Sequence, residues 1–294
     1  MEFFTKFPVM KRAELAEFRK NIDFAFRDFS RAYGEGIEAF FDPLLYFLVW
    51  LEKLMINSPW PIIIGVICGL AWIASRSWKL VLGTAISFFL IGYFGMWKDT
   101  MSTMAIISVA TLICLLIGTP IGILMARSER LKNFLSPVLD MMQTIPTFVY
   151  LIPIIMLLGI GKVPGLLAVC VYAIPPIVRL TNLGIREVDK KLVEAAKALG
   201  IKKRVILFKI EIPLALPSIM TGVNQTIMMA LAMVVIASMI GVSGLGVPIL
   251  RSISNQFLAL GLMNGLAIVA LAIIFDRISQ NYARRIQKHK QARK

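Results

Sequence analysis

"EAAKALGIKKRVILFKIEIP", residues 194–213, is a charged, helix-favouring stretch set between two strongly apolar runs, 163–181 and 214–241. Each of those runs is long enough to cross the hydrocarbon core of a bilayer as a helix. An ordered polar insert between two membrane spans is therefore the first thing the sequence specifies, and the rest of the chain is read outward from it.

Wound as a helix over 187–199, the insert places Val188, Leu192, Ala195, Ala196 and Leu199 on one apolar stripe. Glu187, Lys190, Glu194 and Lys197 fall opposite, with Glu187 spaced to pair with Lys190 or Lys191 and Glu194 with Lys197. Gly200 follows at the position where a helix ends on a residue that tolerates positive φ. A second short basic helix, "KKRVILFKIEI", then runs to Pro213, so the spacing predicts two short helices at an angle. Ala195 and Ala196 are small enough to admit another chain closely. On residue chemistry alone, such an elbow serves equally as a grip for a partner or as an amphipathic loop on lipid headgroups.

The surroundings fix the class. Among 294 residues 58% are hydrophobic and the mean hydropathy is +0.77, which excludes a single soluble core. Spanning helices are expected at about 59–75, 78–96, 100–126, 141–160, 163–181, 214–241 and 259–277, seven in all. The formal charge of +15 does not indicate nucleic acid, because most of the 32 Lys and Arg lie in loops 75–79, 127–140 and 182–213 and in the tail after 276. The positive-inside rule puts those segments, the C-terminus and the insert in the cytoplasm, and the N-terminus outside. Residues 1–42 carry Phe18, Ile22, Phe26 and Phe29 at helical spacing and read as an amphipathic surface helix, and 43–57, short and containing Glu52 and Lys53, as interfacial. This gives an extracytoplasmic region 1–58, peripheral spans 59–96, a core 97–280 and a basic tail 281–294. No signal-peptide pattern opens the chain. Cys68, Cys114 and Cys170 have no metal-site or disulfide spacing.

Acidic residues are expected in the N-terminal stretch, in loops and at helix ends, with none inside the proposed spans, which leaves no obvious proton relay and counts against a secondary transporter; a sodium-coupled carrier of small amines stays open as the alternative. No Ser/His/Asp, HExxH or paired-carboxylate pattern points to an enzyme, and no metal site is expected. Gln143 and Thr144 at the start of the fourth span, and Asn224 and Gln225 in the sixth, either line a substrate route or bond between helices. Pro146 and Pro153, and the pair Pro175–Pro176, are expected to kink or break their helices, as a gate requires. Phe148, Tyr150 and Tyr172 are candidates to offer π faces to a quaternary ammonium group. The glycine-rich "GVSGLGVPILRSISNQ", 241–256, is expected at the outer mouth, where it caps the route or meets a partner.

The spacing Glu194-Ala195-Ala196, Gly200, Ile210, Ile212-Pro213 resembles the EAA loop of ABC importer permeases, with Ile212 in place of a leucine. "MQTIPTFVYLIPIIMLLGIGKVPG", "YAIPPIVRLTNLGI", "GVNQTIMMALAMVVIASMIG" and "GLGVPILRSI" extend the resemblance, over roughly residues 95–280, to permease subunits of the glycine betaine/proline group, which also serves choline, carnitine and trimethylamine N-oxide. The resemblance implies an all-α, type I ABC importer permease core in a bacterial inner membrane. It implies two permease copies, two cytoplasmic ATPase subunits holding ATP and Mg, and an extracytoplasmic binding protein, with Glu194, Ala195, Ala196, Gly200, Ile210 and Pro213 in the ATPase-coupling loop. No GxxxxGK[ST] occurs in the chain, so the nucleotide is expected on a separate polypeptide.

Overall fold

The computed structural model describes residues 9–291, and every regular element among them is helical. A long amphipathic helix comes first, α1 (Arg12–Asn57), followed by two short apolar helices, α2 (Trp60–Ser75) and α3 (Trp78–Tyr93). The body comprises α4 (Trp97–Arg127), α5 (Glu129–Thr144), α6 (Thr147–Leu158) and α7 (Lys162–Arg186). After the insert, with α8 (Lys190–Ala198) and α9 (Lys203–Ile206), come α10 (Ile212–Ala237), α11 (Gly246–Asn255) and α12 (Leu258–Gln291).

Four helical stretches are long and apolar enough to cross a membrane: α4, α7, the continuous run Lys203–Ile240 and α12. Two bent pairs bring the number to six: α1 with α2, turned by 109°, and α5 with α6, turned by 95°. This differs from the seven straight spans expected. The 141–160 run is not one helix, because Ile145, forced to extended backbone by the proline after it, and Pro146 separate α5 from α6. α2 and α3 have 16 residues each, about 24 Å of helix, short of a bilayer core on their own. Pro175 and Pro176, by contrast, lie inside an uninterrupted α7.

The core is the seam of α4, α7 and α10, where lipid supplies no hydrophobic drive and close backbone approach must hold the helices. A Cβ on Gly122 would lie 2.6 Å from Thr181 Cβ and 2.7 Å from the Val178 carbonyl oxygen, so glycine there sets the α4–α7 distance. Ala105, Ala110, Ala168, Ala173 and Ala230 continue the small-residue seam and are fully buried.

The 43–57 segment is not separate from the amphipathic region but the end of one 46-residue helix. There a carboxylate is buried in the N-terminal stretch, outside the proposed spans. Glu52, only 6% exposed, accepts from Ser102 Oγ on α4 at 2.8 Å and pairs with Lys162 at the start of α7. Its ion pair and hydroxyl partner are what permit a charge inside so apolar a stretch. Farther along α1, Ser30 Oγ donates to the Met156 carbonyl of α6 at 2.8 Å, so α1 touches three elements of the body at the ends that also carry Ser102, Met156 and Lys162.

Candidate functional site

The insert forms the elbow its sequence specifies, with three corrections. Its first helix begins at Lys190, not 187, because Asp189 accepts from the Lys191 backbone N–H at 2.9 Å and caps it. Its end is a Schellman turn: Gly200 N donates to Lys197 O at 2.9 Å and Ile201 N to Ala196 O at 3.1 Å. Gly200 takes φ +72°. The second helix is not a separate piece. α9 passes through a π-turn, Leu207–Glu211, directly into α10, with the Ile212 N–H reaching back to Leu207 O. Pro213 sits just after that wide turn, where its ring and missing N–H are accommodated at the first turn of α10.

The second correction concerns the apolar stripe. Val188 and Ala196 are buried and Val193 half-buried, but Ala195 is exposed, and Leu192 and Leu199 stand 47% and 79% exposed. Ile201, Val205 and Phe208 are exposed beside them, whereas Ile206 and Leu207 anchor the elbow to the body. Glu194 is exposed and Ile210 half-buried. One helical face cannot satisfy both sides of a wedge; the body takes Val188, Val193 and Ala196, and the longer side chains face away.

Third, the expected pairs of Glu187 and Glu194 with neighbouring lysines are not among the ion pairs of the described residues. The charge that holds the elbow comes from another element, and a second arginine ties together the helix ends beside it. Arg127, at the end of α4, donates to Glu211 Oε2 at 2.9 Å and to the Lys203 carbonyl at 3.4 Å. Arg186, the last residue of α7, donates to Asn182 Oδ1 at 2.9 Å and to the Met125 carbonyl at 2.8 Å, and pairs with Glu129. Both arginines lie at helix C-termini, where a cation complements the dipole. Spacing within the insert gave no sign of these bonds; the only signal was an arginine at the end of each preceding span. Arg127, Lys197, Lys203, Ile206 and Glu211 line a cleft of about 350 Å³ under the elbow.

The candidate gate residues separate into two groups. Around the α5–α6 break, Gln143 Nε2 lies 3.9 Å from Met229 Sδ and Tyr150 Oη 3.8 Å from Met233 Sδ, so both face α10. Gln225, four residues before Met229, is on the same side of α10 and exposed. Tyr172 is half-buried against the core, Phe148 is 52% exposed, and Thr144 turns its hydroxyl back to the Asp140 carbonyl at 2.9 Å. Pro146 caps α6. Asn224 is not with them: one residue round the helix, it donates to Asp276 of α12 at 2.6 Å. The glycine-rich segment folds back into the body, with Leu245 N–H donating to Thr103 Oγ1 at 2.9 Å and Val242 buried against Gly165.

This arrangement is an all-helical membrane fold, a buried seam of three long helices with a two-part elbow inserted before the third. It superposes with a TM-score of 0.58 on a chain of the MetNI methionine ABC transporter in inward-facing conformations, at 20% identity, covering 63% of this chain and 93% of that one. Residues 118–288 match the family of binding-protein-dependent transport system inner membrane components, and the chain belongs to it. It is 47% identical over 242 residues to the glycine betaine/proline betaine transport system permease protein ProW of Escherichia coli (strain K12), covering 82% of this chain and 68% of that one. With the glycine betaine transport system permease protein OpuAB of Bacillus subtilis (strain 168) it shares 38% over 88% of this chain and 89% of that one. The trimethylamine N-oxide transport system permease protein TmoV of Pelagibacter ubique (strain HTCC1062) is 34% identical over 80% of this chain and 33% of its own length. The chain is thus a multi-pass inner-membrane transport permease.

Proposed function

We propose that the chain imports a small methylated amine, with glycine betaine or proline betaine first and carnitine, choline and trimethylamine N-oxide behind, using ATP hydrolysed on a separate subunit. The substrates named for ProW, OpuAB and TmoV support this class. In the proposed assembly two copies of the permease meet two cytoplasmic ATPase subunits, which hold ATP and Mg, and an extracytoplasmic binding protein delivers the substrate. The N-terminus lies outside and the elbow inside.

The observation that carries the proposal is the elbow's exposed apolar surface: Leu192, Ala195, Leu199, Ile201, Val205 and Phe208 stand free beside a helix that continues without interruption into the body. Solvent-facing side chains of this kind in one place mark a docking surface. ATP-driven closure of the paired ATPases moves the elbows, the Glu194-Ala195-Ala196 stretch of α8 gives the close contact through its exposed Glu194 and Ala195, Gly200 sets the angle, and Ile210 and Pro213 pass the motion into α10. Gln143, Pro146, Phe148, Tyr150, Tyr172 and Gln225 are assigned to the route or its gate at the α5–α6 break. The permease performs no covalent chemistry.

Reconstitution in liposomes tests the reading. With ATPase, binding protein and ATP, betaine accumulates; neutralising the ATPase's catalytic glutamate abolishes accumulation while ion gradients persist. Accumulation by the permease alone under an imposed sodium or proton gradient would show a secondary carrier and overturn the reading.

A further inference from the structure

A second polar site lies away from both elbow and gate, between the first turns of α10 and the later turns of α12. Pro217, Ser218, Thr221, Asn224, Ser279 and Gln280 wall a pocket of about 400 Å³ there. Behind the wall sits Asp276, whose Oδ1 accepts from Asn224 Nδ2 at 2.6 Å and from Gln280 Nε2 at 2.7 Å. An ionised carboxylate has no proton to give, so both amides must turn their NH₂ groups toward it, and this fixes their orientation. Both amide oxygens consequently face away from Asp276. Asn224 Oδ1 is buried with no hydrogen-bond partner, and so is Ser279 Oγ, on a residue only 7% exposed. Asp276 itself belongs to none of the seven ion pairs among the described residues.

Buried acceptors are normally satisfied, and a carboxylate packed between two apolar helices normally has a cationic partner. Here a carboxylate outside every ion pair of the described residues stands behind one amide oxygen, Asn224 Oδ1, and one hydroxyl, Ser279 Oγ, that have no hydrogen-bond partner, an arrangement whose missing complement is a cation. We propose that this pocket binds one alkali cation, sodium or potassium. The chemistry of the walls selects against other ligands. A single carboxylate is too little for calcium or magnesium, and no cluster of His, Cys, Asp or Glu suited to a transition metal occurs among the described residues. No aromatic ring lines the pocket to receive a quaternary ammonium group, and acceptor oxygens repel anions. The bound cation joins α10, immediately beyond the turn through which the elbow enters the body, to α12. The site stands independently of the substrate and of the energy source.

The test is equilibrium binding of radiolabelled rubidium and sodium to the full-length chain in lipid nanodiscs, at constant ionic strength maintained with N-methylglucamine chloride. Saturable binding of at least one ion at a single class of site is expected. Asp276→Asn weakens it roughly 10–100-fold, the scale for losing the group that orients metal ligands. Ser279→Ala weakens it as well and, because that hydroxyl has no partner in the fold, leaves the chain monodisperse. Absence of saturable binding of either ion, or unchanged affinity in the Ser279→Ala chain, overturns the proposal. Competitive displacement of rubidium by tetramethylammonium at equal concentration assigns the pocket to quaternary ammonium groups and overturns it too.

Discussion

The seam between α4 and α7 and the elbow from Lys190 to Phe208 draw on the same small and aliphatic residues and end in opposite conditions. In the seam, Gly118, Gly122, Val178 and Thr181 bring two backbones together until no side chain is left for another molecule. In the elbow, Ala195, Leu192 and Leu199 remain exposed on a helix of nine residues, too short to be stable by propensity alone. The seam is completed within one chain. The elbow is held at its base by Ile206, Leu207 and the Arg127–Glu211 pair, and its outer face has no counterpart among the described residues. Substitutions in the seam should therefore act on folding, and those in the elbow on assembly and coupling.

The largest effect is expected in the seam. Gly122→Leu drives a branched side chain into Thr181 and the Val178 carbonyl, with neighbours on backbone rather than at a flexible tip. Overpacking of this kind costs about 1–3 kcal/mol where the structure can adjust, and more against backbone. The variant should fail to accumulate as a monodisperse protein in detergent. Gly65→Leu, whose Cβ meets nothing within 4 Å, should accumulate normally. Equal behaviour of the two would show that helix approach does not hold the seam.

Next comes the angle of the elbow. Nothing lies within 4 Å of a Cβ at Gly200, so a side chain there has room, and its whole cost is the left-handed backbone, about 1–2 kcal/mol for an ordinary residue. Gly200→Val should insert and purify with an unchanged melting temperature of the membrane core, yet lose most substrate uptake. Gly200→Asn, which tolerates that conformation, should retain more. Uptake equal to wild type in the valine variant would remove Gly200 from the coupling device. A smaller effect follows from Leu199→Asp: at 79% exposure it has little to lose in the chain, so stability should not move. Copurification of the ATPase should drop severalfold.

The elbow was legible in sequence because its signals are local: helical periodicity, a glycine at the turn, a fixed spacing to Pro213. Local reading also located the α5–α6 break, since Pro146 removes a donor wherever it stands. The same rule failed at Pro153, which lies inside α6, and at Pro175–Pro176, where α4 and α10 enclose α7 and packing keeps it continuous. The bonds that hold the elbow and the helix ends beside it escaped because they join residues far apart, Arg127 with Glu211 at the elbow and Arg186 with Met125 and Glu129 between α7, α4 and α5. Glu52 escaped for a related reason: an acid between Leu51 and Lys53 reads as interfacial until Lys162 and Ser102 are brought to it. The stripe drawn on α8 was not the face that packs: Val188, Val193 and Ala196 turn to the body while Leu192, Ala195 and Leu199 stay exposed, and which side the body takes depends on Ile206 and Leu207, beyond the turn.

The smallest effect belongs to the tie between seam and elbow. Arg127 sits on the last turn of α4 and reaches Glu211 at 2.9 Å; its side chain is 36% exposed and that of Glu211 15%. Partly exposed pairs contribute about 0–1 kcal/mol, so Arg127→Ala should scarcely change the melting temperature. Its consequence is mechanical. Glu211 closes the π-turn through which the elbow enters α10, and without the arginine that turn is free to flex when the elbow is pushed. More ATP should then be hydrolysed for each substrate moved, while ATPase copurification is unchanged. The double variant Arg127→Ala with Glu211→Ala should show a coupling ratio no worse than the single one, because both changes remove the same bond. Raising salt should bring the wild type a small part of the way toward the variant, since a partly exposed pair is only partly screened. An additive double variant, or a wild-type coupling ratio indifferent to salt, would place the tie outside the path from elbow to seam.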